Sequence, residues 1–292
     1  MKQPAVTIIV AVYQAEKTID RCLNSILNQT FSDWQAILVN DASSDGSLER
    51  LLSYAEHDRR FMVVSNDNNL GVAAARNRAL DLAGGDYVAF LDADDWWDCD
   101  MLSTLLDCAQ RYGAEIVQCK YQYNYANGGG YVPGSIFKLF TMLERKQFYK
   151  IYWRMMTGMK MNHVCMKLIK RDLVKDLRFD TKLKTGEDLA FCIRLIPKAA
   201  RYVYIPAPMY HYYREKGNLT GSSLSFREKW NANRYISSMM IDNLKNWEMK
   251  NPFFVVVAWF RPYLLTVSKL FRTLKDTVYS KGVQGVEGNA QK

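Results

Sequence analysis

The chain predicts an α/β protein with a mostly parallel sheet flanked by helices, and three observations carry that prediction. Short apolar runs rich in β-branched residues alternate with amphipathic helical patterns between residues 6 and 119. Two of these runs, 6–12 and 87–91, are apolar almost without interruption, as in strands covered on both faces. Several run straight into polar loops, which is where open α/β sheets bind ligands. With 292 residues and 49% hydrophobic content, the chain can bury a sizeable core and is not a disordered polymer.

The first strand, 6–12, precedes a helix in which Ile19, Cys22, Leu23, Ile26 and Leu27 recur at helical spacing, with Glu16 or Thr18 near its start. A second strand, 35–39, enters Asn40-Asp41-Ala42-Ser43-Ser44-Asp45-Gly46-Ser47, a polar loop that caps a helix with Leu48, Leu51, Leu52 and Ala55 on its apolar face. The third strand is 61–65. Asn68-Asn69-Leu70-Gly71 then turns the chain into a small-residue helix, 72–83, carrying Arg76 and Asn77. Gly84-Gly85 ends that helix and feeds strand 87–91, which stops at Asp92-Ala93-Asp94-Asp95. Carboxylates at alternating positions just past a strand can both turn toward one divalent cation.

A helix at 101–112 and a strand at 116–119 follow, and the glycine-rich 127–130 marks a boundary. Beyond it, 148–161 reads as a helix rich in aromatics and Met. Residues 185–191 read as a loop entering a helix whose first turn holds Glu187 and Asp188. The helix macrodipole favours acids there even where they do no chemistry. From about Phe226 the chain reads as helical and basic. Near its end Leu264, Val267, Leu270, Phe271 and Leu274 form an apolar stripe flanked by Lys269, Arg272 and Lys275, which suits either a membrane surface or a protein face. The expected parts are 1–125, 126–225 and a basic helical extension, 226–292.

The net charge of +9 is unevenly placed. Residues 1–125 hold 10 Lys and Arg against 18 Asp and Glu, and the remainder hold 29 against 12. An acidic front suits a metal site, and a basic back suits a polyanion or an anionic membrane surface. No nucleic-acid partner is expected. Six cysteines without a C-x-x-C pair read as reduced core thiols. With no signal-peptide pattern at the start, a cytoplasmic location is expected, and peripheral contact with the inner membrane is compatible with it. The longest apolar stretch, 253–260, is cut by Arg261-Pro262 and falls short of the ~20 residues that span a bilayer.

Rival chemistries lack their residues. A dinucleotide-binding G-x-G-x-x-G or a P-loop would follow the first strand, where Tyr13-Gln14-Ala15-Glu16 stands instead. His57, His163 and His211 are scattered, unlike a zinc-ligand cluster.

In order along the chain, 6–14, Val39-Asn40-Asp41-Ala42-Ser43-Ser44-Asp45-Gly46-Ser47, Asn69-Leu70-Gly71 with Ala75-Arg76-Asn77, and Leu91-Asp92-Ala93-Asp94-Asp95 resemble the family 2 glycosyltransferases. Lys167-Leu168, Gly186-Glu187-Asp188-Leu189-Ala190-Phe191 and Tyr210-His211-Tyr212-Tyr213-Arg214 with Asn218-Leu219-Thr220 are similar to that family too. The resemblance implies the GT-A fold, a nucleoside-diphosphate sugar as donor, and Mn²⁺ or Mg²⁺ as cofactor. It implies Asp94 as metal ligand, with Asp92 at the ribose or supporting the metal. Val12, Tyr13, Glu16 and Asp41 would line the nucleoside, and the imide of a uracil suits Asp41, so a UDP-sugar is the expected donor. Arg76 either meets the donor or is solvated. Lys167 and Arg214 are expected near the donor phosphates, and His211 either binds metal or packs. Asp95 is expected to cap the next helix.

Asp188 is the expected catalytic base with Glu187 in support, and one base opposite the leaving group gives inversion. The acceptor implied is a glycan or lipid-linked glycan of lipopolysaccharide or capsule type. The alternative is a sugar-nucleotide-binding scaffold without chemistry. The Gly217-Asn218 step suggests a lid.

Overall fold

The computed structural model describes residues 3–157, 161–215, 224–249 and 251–263. Three strand–helix pairs and a fourth strand open the chain: β1 (Val6–Val12), α1 (Ile19–Leu27), β2 (Trp34–Asn40), α2 (Ser47–His57), β3 (Phe61–Ser65), α3 (Val72–Leu82) and β4 (Tyr87–Asp92). Then come β5 (Trp96–Trp97), α4 (Met101–Tyr112), β6 (Ile116–Tyr125), β7 (Gly130–Tyr131), β8 (Thr141–Glu144), α5 (Tyr149–Thr157), β9 (Lys167–Lys170), α6 (Glu187–Leu195), β10 (Arg201–Arg214) and α7 (Phe226–Asp242). Residues 252–263 form a further helix, α8.

These strands make one sheet ordered β3-β2-β1-β4-β9-β6-β10-β5, with β7 on β6 and β8 on β10. Strands β3, β2, β1 and β4 pair in parallel, because a crossover helix returns the chain to the same end each time. Past β4 the sheet is mixed: β9 runs antiparallel to β4 and β6, while β6 and β10 are parallel. The boundary expected at 125/126 does not interrupt the sheet, since β6 lies between β9 and β10.

Burial explains the apolar runs. Ile8, Ile9, Val10, Val88 and Phe90 are enclosed on whichever face they point to. α1 buries Ile19, Cys22, Leu23 and Ile26 as its stripe requires, at about 1.5–3 kcal/mol for each large side chain. On α2, however, only Leu51 of the expected leucines is buried and Leu52 faces solvent. Gly85 is needed where the chain enters β4, because a Cβ there would meet the Thr7 backbone nitrogen at 2.6 Å.

β10 was not expected as a strand, since Pro206 and Pro208 interrupt it. The ladder to β6 slips at these prolines, with register shifts between Tyr204 and Pro208 and between Pro208 and Tyr210, and pairing then resumes to Arg214. The stripe at 264–274 and the glycine step and Asn218-Leu219-Thr220 fall outside the described residues. Among the described residues no helix is long and apolar enough to cross a membrane.

Register sets the site. Val12 of β1 lies beside Asn40 of β2, Asn40 beside Ser65 of β3, and Ala11 beside Asp92 of β4. The strands therefore end level, and their loops form one rim.

Candidate active site

The loops after β1 and β2 are stitched together. The Gln14 and Ala15 backbone N–H groups donate to Ser43 Oγ (3.1 Å) and Ser47 Oγ (2.9 Å). The Glu16 N–H donates to Asp45 Oδ2 (3.1 Å), and Glu16 Oε2 accepts from the Gly46 N–H (3.2 Å). Val12 is buried beneath this rim and Tyr13 is exposed upon it. Asp41 is buried at the end of β2, where it accepts from Asn66 Nδ2 (2.6 Å) and the N–H groups of Leu70 (3.0 Å) and Gly71 (2.7 Å). Three of its roughly four lone-pair directions thus pin the β3–α3 loop.

The turn after β4 separates its acids. Asp95, expected to cap a helix, is instead buried: it accepts from the Tyr210 hydroxyl and from the Tyr213 N–H (2.8 Å), and Asp100 precedes α4 in its place. Burial, with Asp94 and Asp92 nearby, pushes Asp95 well above the usual carboxylate range. Asp94 is pushed up to about 6 by burial and by the Asp92 charge. From behind, Arg21 donates to the Asp94 carbonyl (2.7 Å) while its guanidinium is sandwiched between Trp96 (4.0 Å) and Tyr213 (4.2 Å).

Arg76 on α3 is neither solvated nor free. It is 4% exposed, and its two terminal nitrogens donate to Asp92 Oδ1 and Asp188 Oδ1, both at 2.7 Å. Glu187 Oε1 lies 3.6 Å away. Asp188 also accepts from the Val164 N–H through Oδ2 (3.1 Å). One cation on α3 therefore joins the β4 turn to the first turn of α6, with Asp188 lying 112 positions along the chain from Arg76. Gly186, with φ +79°, supplies the left-handed step that starts α6. Burial and the Asp188 charge push Glu187 up to about 7 against the pull of Arg76.

Two expected donor residues have other work. Lys167 is buried, and its ammonium donates to the carbonyls of Met161 (3.0 Å) and His163. It thereby fixes the turn that offers the Val164 N–H to Asp188. His211 packs beside the site: Nε2 meets Asp98 Oδ1 (2.7 Å), Nδ1 meets Gln122 Nε2 (2.8 Å), and the ring stacks on Trp96 at 4.8 Å. Arg214 lies over Tyr123 (4.5 Å) and Tyr212 (5.3 Å), and its buried Nε has no hydrogen-bond partner among the described residues.

The donors present fit a hard divalent ion. No side chain among the described residues bonds the Asp94 carboxylate, which lies half-buried beside Asp92. Among those residues no three His, Cys, Asp or Glu side chains converge as a metal cage. One or two carboxylates with phosphate oxygens and water is the usual Mg²⁺ shell, and Mn²⁺ accepts the same oxygen donors.

Sequence reasoning missed Arg21, the part Tyr210 and Tyr213 play in holding Asp95, and the half-buried imidazole of His163, which lies close to Tyr121 and Tyr212 with its pKa lowered chiefly by desolvation. The available signal was the alternation of tyrosines at 121, 123, 125 and at 210, 212, which marks one face of paired strands.

Residues 7–178 match the profile of glycosyl transferase family 2, and the chain belongs to that family. It is 31% identical over 217 residues to the putative glycosyltransferase EpsH of Bacillus subtilis (strain 168), a match covering 73% of this chain and 61% of EpsH. It is 30% identical over 257 residues to the minor teichoic acid biosynthesis protein GgaB of the same strain, covering 85% of this chain and 28% of GgaB. The chain thus spans less than two thirds of either relative. The crystal structure of S. aureus TarS 1-349 in complex with UDP-GlcNAc superimposes with a TM-score of 0.69 at 22% identity, over 85% of this chain and 72% of that one. That likeness shows the shared GT-A fold.

Proposed function

We propose that the protein is an inverting, metal-dependent glycosyltransferase. It moves a sugar from a UDP-sugar to a glycan or lipid-linked acceptor during synthesis of a cell-surface polysaccharide such as lipopolysaccharide or capsule, at the cytoplasmic face of the inner membrane. One observation carries the reading: Arg76 holds a donor-side acid, Asp92, and the base candidate, Asp188, on the two ends of one buried guanidinium. The name of GgaB, a minor teichoic acid biosynthesis protein, supports a surface glycan, and the TarS complex with UDP-GlcNAc supports a UDP-sugar.

Mn²⁺ or Mg²⁺, held by Asp94 with Asp92 in support, would neutralise the diphosphate leaving group. Val12, Tyr13, Glu16 and Asp41 form the nucleoside wall. Arg214, with its Nε–H unpaired among the described residues, offers the phosphates a charged donor. Asp188 takes the proton of the acceptor hydroxyl as that oxygen attacks the anomeric carbon, and Arg76 and the Val164 N–H keep it aimed. Glu187 lies beside it as the supporting acid. A single displacement on the face opposite the diphosphate inverts the anomeric centre.

The test is incubation with Mn²⁺ and a set of labelled UDP-sugars, scoring hydrolysis and transfer. Asp188→Asn is expected to lower turnover by about 10²–10⁴-fold while UDP affinity stays within about twofold of wild type. Wild-type turnover in that variant would remove Asp188 as base. A wild-type protein that binds UDP-sugars and turns none over would instead be a scaffold.

A further inference from the structure

Among the described residues, the outward face of α8 carries no charged side chain. Phe253, Val256, Trp259, Phe260 and Tyr263 are each between 48% and 56% exposed. The only charge in 252–263, Arg261, is turned inward, where it is buried and donates to Asn233 Oδ1 (3.3 Å). Phe254 and Ala258 on the inner side anchor the helix, the former edge-on to Tyr152 at 5.8 Å. The apolar surface continues onto α5, where Trp153 stacks on Phe253 at 5.9 Å and the exposed Tyr149 carries the Lys150 ammonium 5.9 Å from its ring. Contiguous exposed patches of this kind mark interaction surfaces.

Charge selects the occupant. Residues 126–292 hold 29 Lys and Arg against 12 Asp and Glu, and the 29 residues directly after Tyr263 hold five against two. A second copy would bring two such basic regions together, whereas an anionic lipid surface neutralises them. Trp and Tyr with an apolar body and a polar tip suit the water–lipid boundary. At 1.5 Å per residue the described stretch 252–263 is roughly 18 Å long, less than the ~30 Å of a bilayer's hydrocarbon core.

We propose that the outward face of α8, extended by Trp153 and Tyr149 of α5, docks the protein on an anionic lipid bilayer. The benefit, presenting the active site to a lipid-linked acceptor, rests on the function proposed above; the docking itself does not. The experiment uses the 292-residue chain with vesicles of phosphatidylcholine alone or with about 30% phosphatidylglycerol, following co-sedimentation and tryptophan emission. Wild type is expected to sediment with the anionic vesicles and shift its emission to the blue. Phe253→Ser with Trp259→Ser, both at exposed positions, is expected to weaken binding at least about tenfold with unchanged UDP affinity and melting temperature.

No wild-type binding overturns the proposal, as does equal binding by the variant. So does light scattering that shows a wild-type dimer broken by the variant while vesicle binding is unaltered. UDP-sugar turnover is scored separately: vesicle binding without turnover defeats the functional reading alone, and turnover without vesicle binding defeats only this one.

Discussion

Arg76 carries the charge balance of the site, and its burial makes that balance costly to disturb. Three carboxylates, Asp92, Asp188 and Glu187, share its guanidinium. Removing one partner of a buried ionic cluster leaves the others uncompensated, so Arg76→Met is expected to lower unfolding free energy in urea by about 3–5 kcal/mol. Glu187 behaves in the opposite sense. Its folded pKa of about 7 lies above that of an ordinary glutamate, so its ionisation opposes folding. That penalty is absent below the unfolded pKa, grows as pH rises, and is complete above about 7. Glu187→Gln is therefore expected to melt higher than wild type at pH 8, with the difference shrinking as pH falls through 7 toward 5; a pH series of thermal melts checks it. Asp94 and Asp188 were legible as candidate site residues because they stand in short motifs. The roles of Arg76 and Lys167 were not, because a charged residue in a helix or strand pattern gives no sign of whether its head meets solvent, ligand or another part of the chain.

At the scale of elements, β10 reaches into the site from the far side of the sheet. It closes on the β4 turn through the Tyr210 hydroxyl and the Tyr213 N–H, both given to buried Asp95. Tyr210→Phe would leave that carboxyl short of a donor at a cost of about 1–3 kcal/mol. The expected readout is a lower urea midpoint with an unchanged slope. The helices α1, α2, α3, α4 and α6 were readable from local pattern, α1 and α2 from their apolar stripes. β10 was not: two prolines break its local pattern, and pairing with strands distant along the chain, β6 above all and also β8 and β5, makes it a strand. Leu52 shows the reverse limit, a leucine at helical spacing that no neighbour covers.

For the whole molecule, the division of charge between an acidic front and a basic back gives a test of how docking is shared between forces. Raising ionic strength from about 0.05 to 0.5 M shortens the Debye length below ~5 Å. Vesicle binding by wild type is expected to weaken with added salt but to persist, because the aromatic face of α8 is uncharged; complete loss would assign the contact to charge alone. The alternation of strands and helices, the level polar strand-end loops and the acidic motifs were determined by sequence alone, since each depends on neighbours a few residues apart. Only the tertiary structure decided that β9 enters antiparallel and makes the sheet mixed, that Asp95 and Lys167 serve the fold, and that Arg76 joins Asp92 to Asp188. Those outcomes depend on desolvation and pairing between segments up to 118 positions apart, which no local pattern encodes.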